Sequence, residues 1–507
     1  MISPHIVIKP LFILLSLITA AAQAIAGNLP LGRLVKIGID HTGIYRISAA
    51  QLAAMGFETA DAVTIYGYGG TQGLNFDFPT RLPEIPTMRT ADGSIVFYGE
   101  GPERYIIDTT DTDNCYTSIE CNSNTTRGYY FVAATNNPRR IETGNSTAVT
   151  GAGRSTHYST CIYHPQTTNP ARAGATFLGE DFSRRPDKTI NIEFNIPDAR
   201  PLARMGLKIR GAIKATAPRI FYQLNSGAPK SMSANPSLPN YDDVEIYFGS
   251  TRFHNSAYTI PSEAPTTVTL TASAANSGDV AYAAIESATL TYERYNIMPS
   301  DGSTLSMYYN WLNAGDAISV DNASGVRLWD VTDGTNPIQL AADLHDNTLT
   351  ATMAHDRTGS ANILAFNPDG NLGQVEIMGD VTLRNLSAIN VPEMVIISAP
   401  ALHMQAERLA EIHRKHQGMS VTVIATEDIY NEFGSGSPSP YAIRRFMKSL
   451  YDRGTEKLRH LLIMGSATYD PCGRVSGTAA DGNYVLTYET EDFYIQGDGS
   501  KCYCNDP

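Results

Sequence analysis

The chain has 507 residues, 42% of them hydrophobic and 18% charged, with a formal net charge of −13. That apolar content supports packed cores and excludes a disordered chain, and the length predicts about three domains. The acidic balance excludes nucleic-acid binding, which needs a basic face against phosphates, and disfavours docking on anionic membranes.

At the amino terminus Lys9 precedes the apolar run LFILLSLITAAAQAIA, which ends in two A-x-A sites at Ala24 and Ala26. It is too short and too rich in small residues for a stable span, so residues 1–26 read as a signal peptide. No other segment approaches the ~18 to 20 apolar residues that cross a bilayer, which predicts an exported chain without a transmembrane segment. Six cysteines suit an oxidising compartment. Cys115 and Cys121 are close enough in sequence to close a short loop, and Cys502 and Cys504 have Cys472 or each other as partners.

From about Gly32 to Leu386 the pattern is mostly β. RLVKIGID and GIYRIS flank an HTG turn, SAAQLAAMG reads as a short helix from Ser48 to Gly56, and AVTIYGYGG and SIVFYGEG are strands ending in glycine turns. We assign 27–155 to a β-rich amino-terminal domain. Beyond it, KTINIEFNIP, DVEIYFGS, TTVTLTAS, GVRLWDVTDG and NILAFNP alternate with Pro, Asn, Gly and Ser clusters. Short strands at such spacing predict β-sandwich-like packing over 156–390, with no fixed-period repeat.

Past Pro392 the pattern changes. EMVIISAP, MSVTVIAT and LRHLLIMGS are continuous apolar strands of the kind covered on both faces. The first helix between them places Leu402, Ala406, Leu409 and Ile412 on one side and stops at Gly418. The second places Ile443, Phe446, Met447, Leu450 and Tyr451 inward, with Arg444, Arg445 and Lys448 facing away and Gly454 as its end. Strand–helix–strand–helix–strand with short links predicts a parallel sheet with crossover helices. Residues 466–507 turn polar, so the expectation for 391–507 is an incomplete α/β domain whose last strand is an apolar edge.

Candidate chemistry is sparse. Cys472 follows the third strand, between Asp470, which would raise a thiol pKa, and Arg474, which would lower it. His460 stands at the opposite end of that strand, so Cys472 reads as a structural or disulfide cysteine. His157, Cys161 and His164 have a spacing that binds zinc on a helix, but their surroundings are β-like and would scatter them. His413 and His416 fit a solvated helix end. DTTDTDN (108–114) and DVTDGTN (330–336) alternate oxygen donors as a calcium loop does, without the closing glutamate, and read as Asx-rich turns, with calcium binding as the alternative. GYGGTQG (67–73) lacks a following helix for a dinucleotide site, and no serine-hydrolase elbow surrounds Ser466. The 27 tyrosines are scattered as β packing residues.

One resemblance emerges from these residues. IYNEFGSGSPSPYAIRRFMKSLYDRG followed by LLIMGSATYDPCG resembles the gingipain-type cysteine peptidases, and more closely their type IX secretion sortase branch. LVKIGIDHTGIYRISAAQLAAMGF, TIYGYGG and HYSTCIYHPQTTNPARAGATFLGEDF fit the same branch. Ser466 departs from it, standing where gingipains often carry an acidic residue. The resemblance implies a caspase- or gingipain-like α/β domain, cleavage of carboxy-terminal sorting signals from secreted cargo, and transfer of the new end to a surface lipopolysaccharide. It further implies outer-membrane secretion partners and a location from the periplasm to the surface of a Gram-negative bacterium. The family's catalytic histidine and cysteine motifs have no counterpart in this sequence, so no catalytic or metal-binding residue and no cofactor is assigned, and the 507-residue chain alone is expected to be inactive. Without the resemblance, the residues equally describe a non-catalytic exported β-rich module that binds cargo, glycan or secretion partners.

Overall fold

The structure is a computed structural model that describes residues 33–71, 82–108, 115–145, 148–169, 176–182, 188–214, 219–233, 250–275, 282–357, 359–454, 456–475 and 485–486. The leader at 1–26, the acidic run 109–114, nearly all of DVEIYFGS, and Cys502 and Cys504 lie outside the described residues.

The β region builds three two-layer cores. In the first, strand Leu34–Ile39 lies between Gly128–Ala134 and Glu376–Val381, while Gly43–Ile47 and Ile95–Gly99 form the facing layer. Val35, Ile37 and Ile39 point into that core with Tyr45, Phe97 and Val132. Side chains alternate along a strand, so Leu34 and Lys36 face the other way, toward the carboxy-terminal segment. The short helix Ala49–Ala54 is closed by a reciprocal capping box: Gln51 N donates to Ser48 Oγ at 3.1 Å and Ser48 N to Gln51 Oε1 at 2.9 Å.

The second core is the expected sandwich. The long strands Arg204–Lys214 and Tyr282–Tyr295 pair antiparallel and pack Leu207, Ile209 and Leu290 against Ile192, Tyr222, Val268 and Leu270 of a four-stranded sheet. The third core joins Met307, Leu328 and Ile363 to Ile318, Val320 and Leu349. Trp329, fully buried and edge-on to Phe366 at 4.8 Å, connects this unit to Ile44 and Tyr98 of the first. The sheets do not follow sequence order. Gly373–Gln374 and Glu376–Val381, placed by sequence with the sandwich, complete both layers of the first core.

The carboxy-terminal segment is a three-stranded parallel sheet with Met394–Ser398 central, Val421–Ala425 on one side and His460–Met464 on the other. Helix His403–Gln417 covers one face, and its stop at Gly418 takes the left-handed conformation (φ 66°). Its buried stripe is Ala406 and Ala410. Ile412, expected inward, is exposed, because two residues past Ala410 it lies about 200° around the helix from the buried stripe. The other face is covered by two helices, Thr426–Phe433 and Pro440–Arg453. Ile443, Phe446 and Leu450 are buried as expected, whereas Tyr451 is exposed and Arg445 is buried. Arg445 turns inward because its Nε and Nη2 donate to the Phe433 carbonyl at 2.9 and 2.6 Å, capping the end of the preceding helix.

No disulfide joins the described cysteines: Cys115, Cys121, Cys161 and Cys472 are all thiols. A Cys115–Cys121 bridge is excluded by geometry. Strand Tyr116–Cys121 extends between them and separates them by about 20 Å. No helix among the described residues is long and apolar enough to cross a membrane.

Candidate functional site

In open α/β sheets, ligands bind outside the carboxyl ends of the strands. Here those ends are Ser398, Ala425 and Met464, in register with one another. A cavity of about 810 Å³ opens there, between Ala399–Ala401, Thr426–Asp428 and Asn431 on the sheet side and Lys36, Tyr129 and Met378–Thr382 of the β region. The site therefore lies between the two regions rather than within either.

The glycine-serine turn before the Pro440–Arg453 helix holds the two walls together. Ser435 (φ 54°) is buried, and its Oγ accepts the Tyr68 N–H at 2.9 Å. Ser437 Oγ donates to the Gly69 carbonyl at 3.3 Å. Between them Gly436 has φ 81°, and a Cβ there would press on Tyr129, Lys36 and Phe131 at 3.1–3.2 Å. Only glycine satisfies both the backbone and this close approach. Lys36 reaches across to donate to the Gly436 carbonyl at 2.5 Å and to Asn431 Oδ1 at 3.3 Å, with its ammonium 4.3 Å from the centre of the Tyr129 ring. Burial pushes Lys36 down to about 8, and Glu427 partly offsets that.

Asp380, Glu427 and Asp428 add carboxylates to the cavity wall, whereas the neighbouring Glu432 is buried and does not line it. Burial raises Asp428 above its usual range, and the Arg384 guanidinium, 2.9 Å away, opposes that shift. Glu432 is also raised by burial, while its oxygens accept the Arg384 and Leu386 N–H groups at 2.6 Å each. Glu432 thereby fixes the chain that enters the parallel sheet. Of the described residues lining the cavity, none is a histidine or a cysteine.

The sequence candidates fall elsewhere. Cys472 sits in a turn where buried Asp470 accepts the Arg474 and Val475 N–H groups at 3.0 and 2.8 Å. Its thiol donates to the Ser123 carbonyl at 3.4 Å, and burial raises its pKa. Cys472 thus anchors that turn to the β region and is not an activated nucleophile. His157, Cys161 and His164 lie on or beside strand Thr156–Tyr163 and do not converge. His157 is buried against Asn296 Oδ1 at 2.7 Å and is pushed down to about 3, while Cys161 donates to the Asn195 carbonyl and is pushed up to about 11 by burial. His413 bonds Gln417 at the helix end, on the surface. In DVTDGTN, Asp330 is committed to Arg357 at 2.7 Å and to the Thr332 N–H, and Asp333 closes its own turn on Thr335. One cluster escaped sequence reasoning. Glu103, Cys121 and His164 bring one donor atom each to within 4.8 Å of one another, from positions 18 and 43 apart in sequence with no local motif.

Comparison with known proteins fits this architecture. Residues 387–506 match Peptidase family C25. The fold is similar to dimeric latent PorU from Porphyromonas gingivalis, with a TM-score of 0.76 at 22% identity, over 90% of this chain and 44% of that one. This chain thus spans less than half the length of PorU. The Cry4Aa and Cry8Ea1 toxins of Bacillus thuringiensis reach TM-scores of only 0.17 and 0.20, at 11% and 12% identity. They cover 32% and 45% of this chain and 27% and 42% of their own, and carry no argument about it. The comparison with curated proteins gives no match. Residues 387–506 are thus similar to Peptidase family C25, the gingipain-type cysteine peptidases, and the chain as a whole has a fold similar to that of PorU.

Proposed function

We propose that the chain serves a gingipain-like cysteine peptidase of the type IX secretion sortase kind, which trims carboxy-terminal sorting signals from exported cargo and attaches the cargo to the cell surface. The observation that carries this reading is the cavity at the carboxyl edge of the C25-type parallel sheet, walled on its far side by the β region. An extended cargo peptide would lie in that cavity, contacting Asp428 and Asn431 on one side and Lys36 and Tyr129 on the other. The leader at 1–26 would route the chain to the periplasm and outer membrane of a Gram-negative bacterium, where secretion components are its partners.

The chain by itself would bind cargo without turning it over. Burial holds Cys121, Cys161 and Cys472 in the protonated form, and no imidazole lines the cavity among the described residues. A labelled sorting-signal peptide added under thiol reductant tests both points. We expect saturable binding, weakened at least about tenfold by Lys36→Glu, and no cleavage of sorting-signal, arginyl or lysyl peptides. Turnover that disappears in Cys472→Ala would contradict the second point, and absence of peptide binding the first.

The protonated thiols also favour a second reading, a non-catalytic binding module. The same peptide separates the two: glycan or secretion-component binding without sorting-signal binding supports the module alone.

A further inference from the structure

We propose that Glu103, Cys121 and His164 form a binding site for a divalent cation of the zinc class, bridging the two-stranded ribbon Glu103–Asp108/Tyr116–Cys121 to the nine-stranded sheet. Strand Glu103–Asp108 pairs antiparallel with Tyr116–Cys121, and the register sets Glu103 directly opposite Cys121. His164 follows the end of strand Thr156–Tyr163, which belongs to the nine-stranded sheet. The three donors are thus delivered by the ends of three strands, a rigid frame of the kind that metal sites require.

The geometry is near that of a bound ion. His164 Nδ1 lies 2.9 Å from Glu103 Oε1, and all three donor atoms lie within 4.8 Å of one another. Ligands at zinc distances in a tetrahedron are about 3.3–3.8 Å apart, so the widest pair has to close by about 1.5 Å at most, while the His164–Glu103 pair opens slightly. The centre of the triangle is already marked. Gln166 Nε2 sits 2.7 Å from Glu103 Oε1, 3.3 Å from His164 Nδ1 and 3.4 Å from Cys121 Sγ. Gln166 holds φ 50°, a costly conformation for a side-chain-bearing residue, and so directs its carboxamide into the position an ion would take. On binding, that amide swings into the adjoining cavity of about 200 Å³, leaving the fourth position to water.

The donor set selects the metal. A thiol with an imidazole is foreign to calcium and magnesium, which take oxygen ligands, and suits zinc. The Tyr105 hydroxyl donates to Glu103 Oε2 at 3.2 Å and leaves Oε1 turned to the cluster, as supporting hydrogen bonds do in metal centres. Binding replaces the Cys121 S–H bond with an S–metal bond and releases one proton to solvent. The thiolate and the Glu103 carboxylate then cancel the dication, so neighbouring cations oppose it little. Of these, Arg210 is paired with Glu286 at 2.8 Å, and Lys208 donates to Ser118 Oγ at 2.7 Å. The Arg474 guanidinium is held by the Ser123 and Thr125 carbonyls.

The test uses the full chain, reduced with a phosphine, stripped of metal and titrated with Co²⁺. We expect one equivalent to give a thiolate-to-cobalt charge-transfer band that Zn²⁺ bleaches. Competition against a chromophoric chelator should show Cys121→Ser and His164→Ala weakening Zn²⁺ binding at least about 100-fold, with Cys161→Ser unchanged. Gln166→Ala should bind as tightly or more tightly, because no amide has to be displaced. A wild-type chain that gives no band, a band that survives Cys121→Ser, or loss of binding in Gln166→Ala would overturn the proposal. The wild-type and Gln166→Ala titrations decide even if a ligand variant fails to fold.

Discussion

Strand Leu34–Ile39 and strand His460–Met464 are both apolar and short, yet they live differently. The first has a neighbour on each side and is buried on both faces, with Val35, Ile37 and Ile39 in one core and Leu34 in another. The second pairs with Met394–Ser398 alone among the described residues, and leaves Leu461 and Ile463 nearly half exposed. The β region closes three cores of its own, whereas the carboxy-terminal segment closes by itself only the small core of Ile396, Ala406, Ala410 and Val423 under its first helix, among the described residues. Its principal core is shared: Phe433, Phe446, Leu450 and Ile397 pack with Leu34, Tyr66, Leu82 and Phe131. The comparison teaches that this segment is held as a docked layer, with the cavity at the seam.

The strongest way to break that arrangement is Phe446→Ala. Phe446 is fully buried and edge-on to Phe433 at 5.5 Å, so truncation should cost about 3–5 kcal/mol, read as a lowered denaturant midpoint. Next comes Glu432→Ala, which strands the Arg384 and Leu386 N–H groups. We expect a loss of about 2–3 kcal/mol by the same measurement.

Lys36→Met should cost less, about 1 kcal/mol at neutral pH, because the lost hydrogen bonds are partly offset by removing a desolvated charge. Its distinctive mark is in pH dependence. Lys36 has its folded pKa lowered from 10.5 to about 8, so between those values the unfolded chain holds the extra proton and stability from this group rises with pH. That rise should be missing in Lys36→Met when chemical denaturation is repeated from pH 8 to 10. The smallest effect belongs to Leu461→Lys. At an exposed edge it should change stability by less than about 0.5 kcal/mol, while reducing self-association in sedimentation velocity.

Much of this was legible in sequence because the signals are local. The switch to strand–helix alternation past Pro392, the Ser48 cap and the glycine stop at Gly418 each depend on neighbours within a few residues. The short helix Thr426–Phe433 was missed because its eight residues run directly into a glycine-serine turn. Arg445 reads as a solvated cation until its partner, the Phe433 carbonyl, is known. The pairing of Glu376–Val381 with Leu34–Ile39 spans most of the chain and leaves no trace in periodicity. The same holds for Glu103, Cys121 and His164, where sequence pointed instead to His157 and Cys161 because they are near neighbours.

Native-state hydrogen exchange on the full chain tests the docked-layer account most directly. We predict that amides of Val395–Ile397 and Phe446–Leu450 open in the same cooperative unit as those of Val35–Ile37 and Phe131–Ala133, with Phe446→Ala lowering protection in both regions together. Opening of the sheet segment at a distinctly lower free energy, with Phe131–Ala133 unaffected by Phe446→Ala, would contradict it.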